Sequence, residues 1–203
     1  MKTLSLKNLA LSKVSISIEN VVATAVLNQS IDIKKTIKNF PSSKYDPNKF
    51  PGAVIRLKQP RSVILAFKSG SIVCTGTKSE EMAFSAIQKF VSEIKNSNNL
   101  TNVSISDIKI VNMVASCNLG NKIHLEQTAR TLPRSMYEPE QFPGIIHRLS
   151  HPNTVALIFA SGRLVCVGAK STQEIHLSVN TVRMELEERS LMAYENIASS
   201  IHF

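Results

Sequence analysis

No stretch of the 203-residue chain approaches the roughly 18 consecutive apolar residues of a membrane span. The first residues also lack the apolar core of a secretory signal. Both absences point to a soluble, intracellular protein with no membrane partner. Cysteine is scarce: Cys74, Cys117 and Cys166 are the whole supply, with no C-x-x-C spacing, which excludes zinc-ribbon and dithiol chemistry. Reduced thiols packed as small apolar residues are expected. There is no Gly-rich phosphate loop, no spacing of metal ligands and no nucleophile with a base beside it. His124, His147, His151, His176 and His202 are scattered and read as surface residues. An enzyme is not the expected class, and no cofactor is implied.

What the chain does have is itself, twice. Residues 18–79 recur at 110–171 with a constant offset of 92 and no gap, and 27 of the 62 positions are identical. A repeat this long is not a solenoid module, which recurs every ~20–50 residues in three or more copies. Two copies predict a pair of pseudo-symmetric lobes. The expected organisation is a leader (1–13), a first repeat (14–98), a short polar linker (99–105), a second repeat (106–191) and a tail (192–203).

Net charge is +9 with a pI near 9.6, which favours a polyanionic partner, although lysines serving only solubility would give the same count. The charge is unevenly shared. Residues 14–98 carry 12 Lys+Arg against 6 Asp+Glu, whereas residues 106–190 carry 9 against 8. The lobes share a pattern and differ electrostatically.

Within one repeat, Val14–Val26 is rich in β-branched and small residues and reads as a strand. Asn28-Gln29-Ser30 supplies cap types for a short helix over 31–40, stopped by Pro41. Three β-rich runs follow at 53–57, 62–67 and 71–75, with Lys68-Ser69-Gly70 as a hairpin loop. Ser79 then caps a long helix whose apolar stripe is Ala83, Phe84, Ile87, Phe90, Val91 and Ile94. In the copy, Ser171-Thr172-Gln173-Glu174 has the form of a capping box, and its helix is expected to run to about Leu191 with Ile175, Val179, Val182 and Leu186 inward. Helices against one side of an antiparallel sheet leave its other face over. Strand parity sorts Leu65, Phe67, Val73 and Thr75 from Ile64, Ala66, Ile72 and Cys74. Both sets are largely apolar, so two arrangements stand: a sheet covered on both faces, or an exposed apolar strip kept for use.

The runs Asn20-Val21-Val22-Ala23-Thr24 and Asn112-Met113-Val114-Ala115-Ser116, Tyr-Asp/Glu-Pro before Phe-Pro-Gly, and Phe-x-Ser-Gly followed by Gly-x-Lys-Ser together resemble the TATA-box-binding protein family over about residues 14–190. The resemblance implies an α+β fold, a pseudo-two-fold saddle whose curved ten-stranded antiparallel sheet carries four helices on its convex face and lies on the minor groove of DNA. It implies wedge roles for Phe50, Phe67, Phe142 and Phe159, apolar rings that replace a stacking neighbour where a base step is opened. Asn20 and Asn112 match a central pair able to donate to adenine N3 and thymine O2. Val22, Leu65, Val73, Val114, Leu157 and Val165 match an apolar floor that disfavours the guanine amino group. Thr24, Thr75 and Ser116 match hydroxyl positions. Val167 stands where the family usually has threonine. Arg56, Lys78, Arg148, Arg163 and Lys170 match phosphate-reaching positions, and Ser71 stands where a lysine is usual.

The resemblance further implies that Glu138, Glu140 and Gln141 dock the B-type initiation factor, through which RNA polymerase is recruited. Their first-repeat counterparts are Asp46, Asn48 and Lys49. Phe-Pro-Gly in both repeats and the short leader are similar to archaeal members, although the basic balance and the lack of an acidic tail are less usual there. Localisation on DNA follows, in the cytoplasm if archaeal and in the nucleus if eukaryotic, and a homodimer off DNA stays open. Two rivals differ in class. A repair glycosylase with a related half-saddle finds no catalytic residues here. A divergent paralogue that keeps protein docking but binds DNA poorly has only Val167 and Ser71 in its favour.

Overall fold

The computed structural model describes residues 14–98 and 102–193. The expected leader, most of the tail and residues 99–101 of the linker lie outside them. The chain divides into two compact units, one spanning Ile18–Val114, the other taking in Val14–Ser17 and the described residues from Ala115 onward.

In the first unit β1 (Ile16–Val26) is followed by α1 (Ile33–Lys38), β2 (Gly52–Lys58), β3 (Arg61–Phe67), β4 (Ser71–Thr77) and α2 (Glu80–Asn98). The strands lie in the order β2-β3-β4-β1 with antiparallel pairing throughout. β5 (Lys109–Asn118) crosses the division. In the second unit come β6 (Lys122–Ile123), α3 (Leu125–Thr131), β7 (Ser135–Met136), β8 (Gly144–Arg148), β9 (Val155–Phe159), β10 (Arg163–Ala169), α4 (Thr172–Glu188) and β11 (Met192–Ala193). Here the order is β5-β10-β9-β8-β7, with β6 and β11 paired separately.

Strand alternation decides which face is covered. Ile64, Ala66, Ile72 and Cys74 are at most 1% exposed and lie under α2, which packs on β3 and β4. Ala156, Ile158, Leu164 and Cys166 are buried in the same way where α4 packs on β9 and β10. Each fully buried Ile or Leu side chain contributes roughly 1.5–3 kcal/mol. The intervening residues of the same strands are half-exposed. Of the two arrangements the sequence left open, each unit takes the second, a sheet with one face uncovered among the described residues. All three cysteines are buried free thiols; burial pushes the Cys74 and Cys117 thiols up to about 11.

Several sequence expectations shift. The main strands number nine among the described residues instead of ten, because the first-unit counterpart of β7 is reduced to a single bridge, Lys44 to Val54. The cap of α1 is Asp32, whose carboxylate accepts from Lys35 N–H at 3.1 Å, so the helix starts two residues late and ends at Lys38. Ser79 does cap α2, accepting from Met82 N–H at 3.1 Å. α2 runs on to Asn98, into the polar stretch, and Phe84 is half-buried while Ala86 is fully buried beside the expected stripe. Ser171 accepts from Glu174 N–H, but the Glu174 carboxylate returns to Lys170 N–H at 2.7 Å, one residue before the reciprocal position. α4 stops at Glu188, where the chain turns through Ser190 (φ 53°) into β11.

His147 is not a surface residue. It occupies the core position that Ile55 holds in the first unit and is 1% exposed. Its Nδ1 lies 3.1 Å from Ser135 Oγ on β7, and its Nε2 lies 3.0 Å from Glu185 Oε2 on α4, at an angle outside hydrogen-bond geometry. A neutral ring with its proton on Nε2 suits both neighbours, with Ser135 donating to Nδ1. Burial is the largest influence on the ring and holds its pKa below the ordinary value of 6.5; the Glu185 carboxylate opposes the shift, and the Arg134 charge adds to it. Such a group binds fewer protons folded than unfolded. Its contribution is therefore full above pH 6.5 and lost as pH falls below it, by at most about 1.4 kcal/mol per pH unit. His147→Ile, which copies the first unit, is expected to flatten the fall in melting temperature between pH 7.5 and 5.5. Equal slopes for the variant and the parent would show that another group sets the acid sensitivity.

Candidate nucleic-acid interface

On the uncovered face of the first unit, register brings side chains into rows across the strands. Val54, Leu65, Val73 and Thr24 are successive cross-strand neighbours, as are Arg56, Val63 and Thr75. The second unit repeats the rows as Ile146, Leu157 and Val165, and as Arg148, Val155 and Val167. Asn20 and Val22 share the half-exposed phase of β1, and Asn112, Val114 and Ser116 that of β5. Every residue expected on the floor therefore lies on the uncovered face of its unit. Val54, Val63, Ile146 and Val155 belong there too and were missed, although Val63 and Val155 were legible from the parity that placed Leu65 and Leu157.

At one end of the rows the phenylalanines come together. Phe50 meets Phe67 edge-on with ring centroids 5.7 Å apart, and Phe142 meets Phe159 at the same distance. Sequence placed these rings 17 residues apart; strand pairing closes the gap, since Gly52 stands opposite Phe67 and Gly144 opposite Phe159. A side chain in place of either glycine would crowd the rings. A Cβ on Gly52 would lie 2.8 Å from Phe67 Cε1 and 2.9 Å from Phe50 Cε1, and one on Gly144 would lie 3.0 Å from Phe142 Cε1 and 3.1 Å from Phe159 Cδ1. Phe50 remains 37% exposed.

Asn20 is held by a fault in the sheet. Val21 pairs with Thr77 but Ala23 with Cys74, so β4 carries an extra residue at the bulge, which Gly76 accommodates at φ 82°. The bulge takes Gly76 N–H out of the ladder, and it donates instead to Asn20 Oδ1 at 2.8 Å. That bond fixes the amide's orientation. Asn20 Nδ2 then donates to Thr75 Oγ1 at 3.2 Å, and its second hydrogen stays available on the uncovered face.

Basic residues border each apolar field unequally. Arg56, Lys58 and Arg61 all belong to the exposed phase of β2 and β3, whereas their second-unit counterparts are Arg148, Ser150 and Asn153. Lys58 and Arg61 were not singled out from the sequence. Arg163 and Lys170 are exposed, and Lys78 pairs with Glu19 at 3.4 Å on the surface. Ser71 bonds to the Ser69 hydroxyl at 3.0 Å instead of offering a charge. Glu138, Glu140 and Gln141 are exposed on a turn in which Gln141 and Phe142 N–H both donate to Glu138 C=O at 2.9 Å. The equivalent turn has Asp46, Asn48 and Lys49, with Lys49 3.6 Å from Asp46. Among the described residues, no cluster of His, Cys, Asp and Glu could hold a metal ion.

A duplicated α+β unit with a largely apolar sheet face left uncovered among the described residues, edged by paired aromatic rings and by cations, has the form of a binding surface. Comparison with known proteins identifies the class. The family model described as "Transcription factor TFIID (or TATA-binding protein, TBP)" matches residues 15–97 and 107–189. The chain is 42% identical over 176 residues to the TATA-box-binding protein of Pyrodictium occultum, covering 87% of this chain and 88% of that one. It is 41% identical over 182 residues to that of Methanothermobacter thermautotrophicus, covering 90% and 100%. In structure it is similar to Methanococcus jannaschii TBP, with a TM-score of 0.78, 37% identity and coverage of 86% and 99%. The chain belongs to the TATA-binding protein family, with archaeal members among its relatives.

The Gly52 contacts give a direct test of how the rings are seated. Gly52→Ala is expected to displace Phe50 and Phe67 and to remove the ring-to-ring nuclear Overhauser contacts between them. The contacted atoms are the far ends of side chains, so stability should fall by no more than about 1 kcal/mol. Unchanged contacts would mean that the glycine is not what seats the pair.

Proposed function

We propose that this protein is a transcription initiation factor that binds A·T-rich, TATA-like duplex DNA through the minor groove, kinks it with Phe50, Phe67, Phe142 and Phe159, and presents the distorted site to the B-type initiation factor and RNA polymerase. The observation that carries the reading is the occurrence, once in each unit, of an aromatic pair seated over a glycine at the edge of an uncovered apolar field. Family membership and the names of the archaeal relatives supply the ligand class.

In this reading each sheet face lies along the groove. Val22, Leu65, Val73, Val114, Leu157, Val165 and Val167 meet the sugar and base edges, where a guanine amino group would find neither room nor an acceptor. Asn20 and Asn112 donate to the A·T acceptors, and Thr24, Thr75 and Ser116 bring hydroxyls close to them. The rings enter opened base steps, whose unstacking costs on the order of a few kcal/mol each and is offset by apolar burial over the bent duplex. Arg56, Lys78, Arg148, Arg163 and Lys170 reach phosphates and set register more than sequence. The exposed Glu138, Glu140 and Gln141 turn is the docking point for the B-type factor, and the different charges of Asp46, Asn48 and Lys49 let that factor choose one unit. The protein performs no covalent chemistry. The two repeats, 14–98 and 106–191, act as the two halves of one DNA-binding body inside the cell.

Binding and bending of a doubly labelled duplex, TATA-like against a G·C-substituted control, across a salt series, tests the whole reading. Selective binding with a bend is expected, with log K falling by about 0.9 per phosphate contact for each tenfold rise in salt. Phe159→Ala should weaken binding by roughly 10- to 100-fold, the scale of an aromatic–base stack, and reduce the bend with it. Full bending by this variant at saturation would remove the wedge role. Weak, unbent binding by the parent protein would favour a paralogue working through protein contacts alone.

A further inference from the structure

The two uncovered faces are nearly the same surface, and that makes their one central chemical difference informative. Val63, Leu65 and Val73 recur as Val155, Leu157 and Val165 in the same register. At the next position the copies part. Thr75 pairs with Val63 and engages Asn20 through its hydroxyl, while Val167 pairs with Val155 and presents a methyl group where Thr75 has oxygen. Threonine and valine have nearly the same shape, so what differs is hydrogen-bonding capacity.

Resting on the DNA-binding reading above, we propose that the two units read the groove by different physical means, and that Thr75 and Val167 thereby set the orientation of the protein on an A·T-rich site. In the first unit Gly76 N–H holds the Asn20 carbonyl at 2.8 Å, the Asn20 amide donates to the Thr75 oxygen, and the Thr75 hydroxyl donates to Asn20 Oδ1 at 3.3 Å, a long bond that it exchanges for adenine N3 or thymine O2 on the duplex. This is a donor set that recognises the presence of an acceptor. At Val167 no hydroxyl exists, so the second repeat keeps the Asn112 amide and the Ser116 hydroxyl but presents a methyl group where the first presents one more donor. A half-site with strong minor-groove acceptors belongs on the first unit. A half-site that lacks one of those acceptors is better tolerated on the second.

The test uses a two-fold symmetric A·T-rich duplex in which adenines of one half only are replaced by 3-deazaadenine, which loses the N3 acceptor and keeps its shape. Orientation is read by energy transfer from a dye on Asn180→Cys, an exposed position on α4, to an acceptor on one DNA end. The three native thiols are buried, so labelling is selective. The modified half is expected on the second unit with a preference of roughly 3- to 10-fold, the worth of one neutral hydrogen bond. Thr75→Val and, separately, Val167→Thr should each bring the ratio towards one. The double exchange Thr75→Val with Val167→Thr should reverse it. Equal occupancy of both orientations by the parent protein, with the duplex still bound and bent, overturns this inference and leaves the function standing. Failure to bind the unmodified duplex overturns both. A preference that survives all three variants assigns orientation to other residues and also overturns it.

Discussion

Everything in this molecule depends on how the alternating side chains of β3, β4, β9 and β10 are divided between two environments. One set is buried beneath α2 and α4 and supplies the stability of each unit. The other set, also largely apolar, is half-exposed, with no helix over it among the described residues. Such a face is a liability for a protein in water unless something apolar and complementary is brought to it. A minor groove, lined by sugar carbons and base edges, is a surface of that kind. The stability of each unit and, in the proposed function, its binding of DNA come from the two phases of the same strands.

Local irregularities then fix the side chains on this face in particular orientations. The bulge in β4 frees Gly76 N–H, and the Asn20 side chain takes it, so an amide that could face either way presents its donor outward. The Phe-Pro-Gly segments do the same for the rings. Gly52 and Gly144 leave the space in which Phe50 and Phe67, and Phe142 and Phe159, pack edge to edge. Edge-to-face contacts of this kind are worth about 0.5–1.5 kcal/mol beyond area burial.

Duplication supplies two such surfaces and divergence makes them unequal. Lys58 and Arg61 correspond to Ser150 and Asn153 in the repeat, Ser71 to Arg163, Thr75 to Val167, and Ile55 to His147. The first three change what the surface offers to a ligand. The last lies in the core and adds a buried ionisable group to one unit only, so the units also differ in how acid affects them.

The repeat, the placement of most elements and the two parity sets were legible in the sequence, because side-chain periodicity in a strand is fixed by covalent geometry and a residue-for-residue repeat needs no structure to be seen. Parity put Leu65, Phe67, Val73 and Thr75 together on one face without saying whether that face was covered, since helix packing is a matter of three dimensions. It also misread His147, because a histidine in a strand of 5 residues carries no local mark of burial; only its alignment with Ile55 hinted at a core position. The Asn20–Gly76 bond and the glycine under each ring pair were out of reach for the same reason: both join residues distant in the chain through strand register. Sequence determined the units and their chemistry. Tertiary structure decided which face stayed open and which distant side chains met there, because those depend on register and helix placement that no local pattern contains.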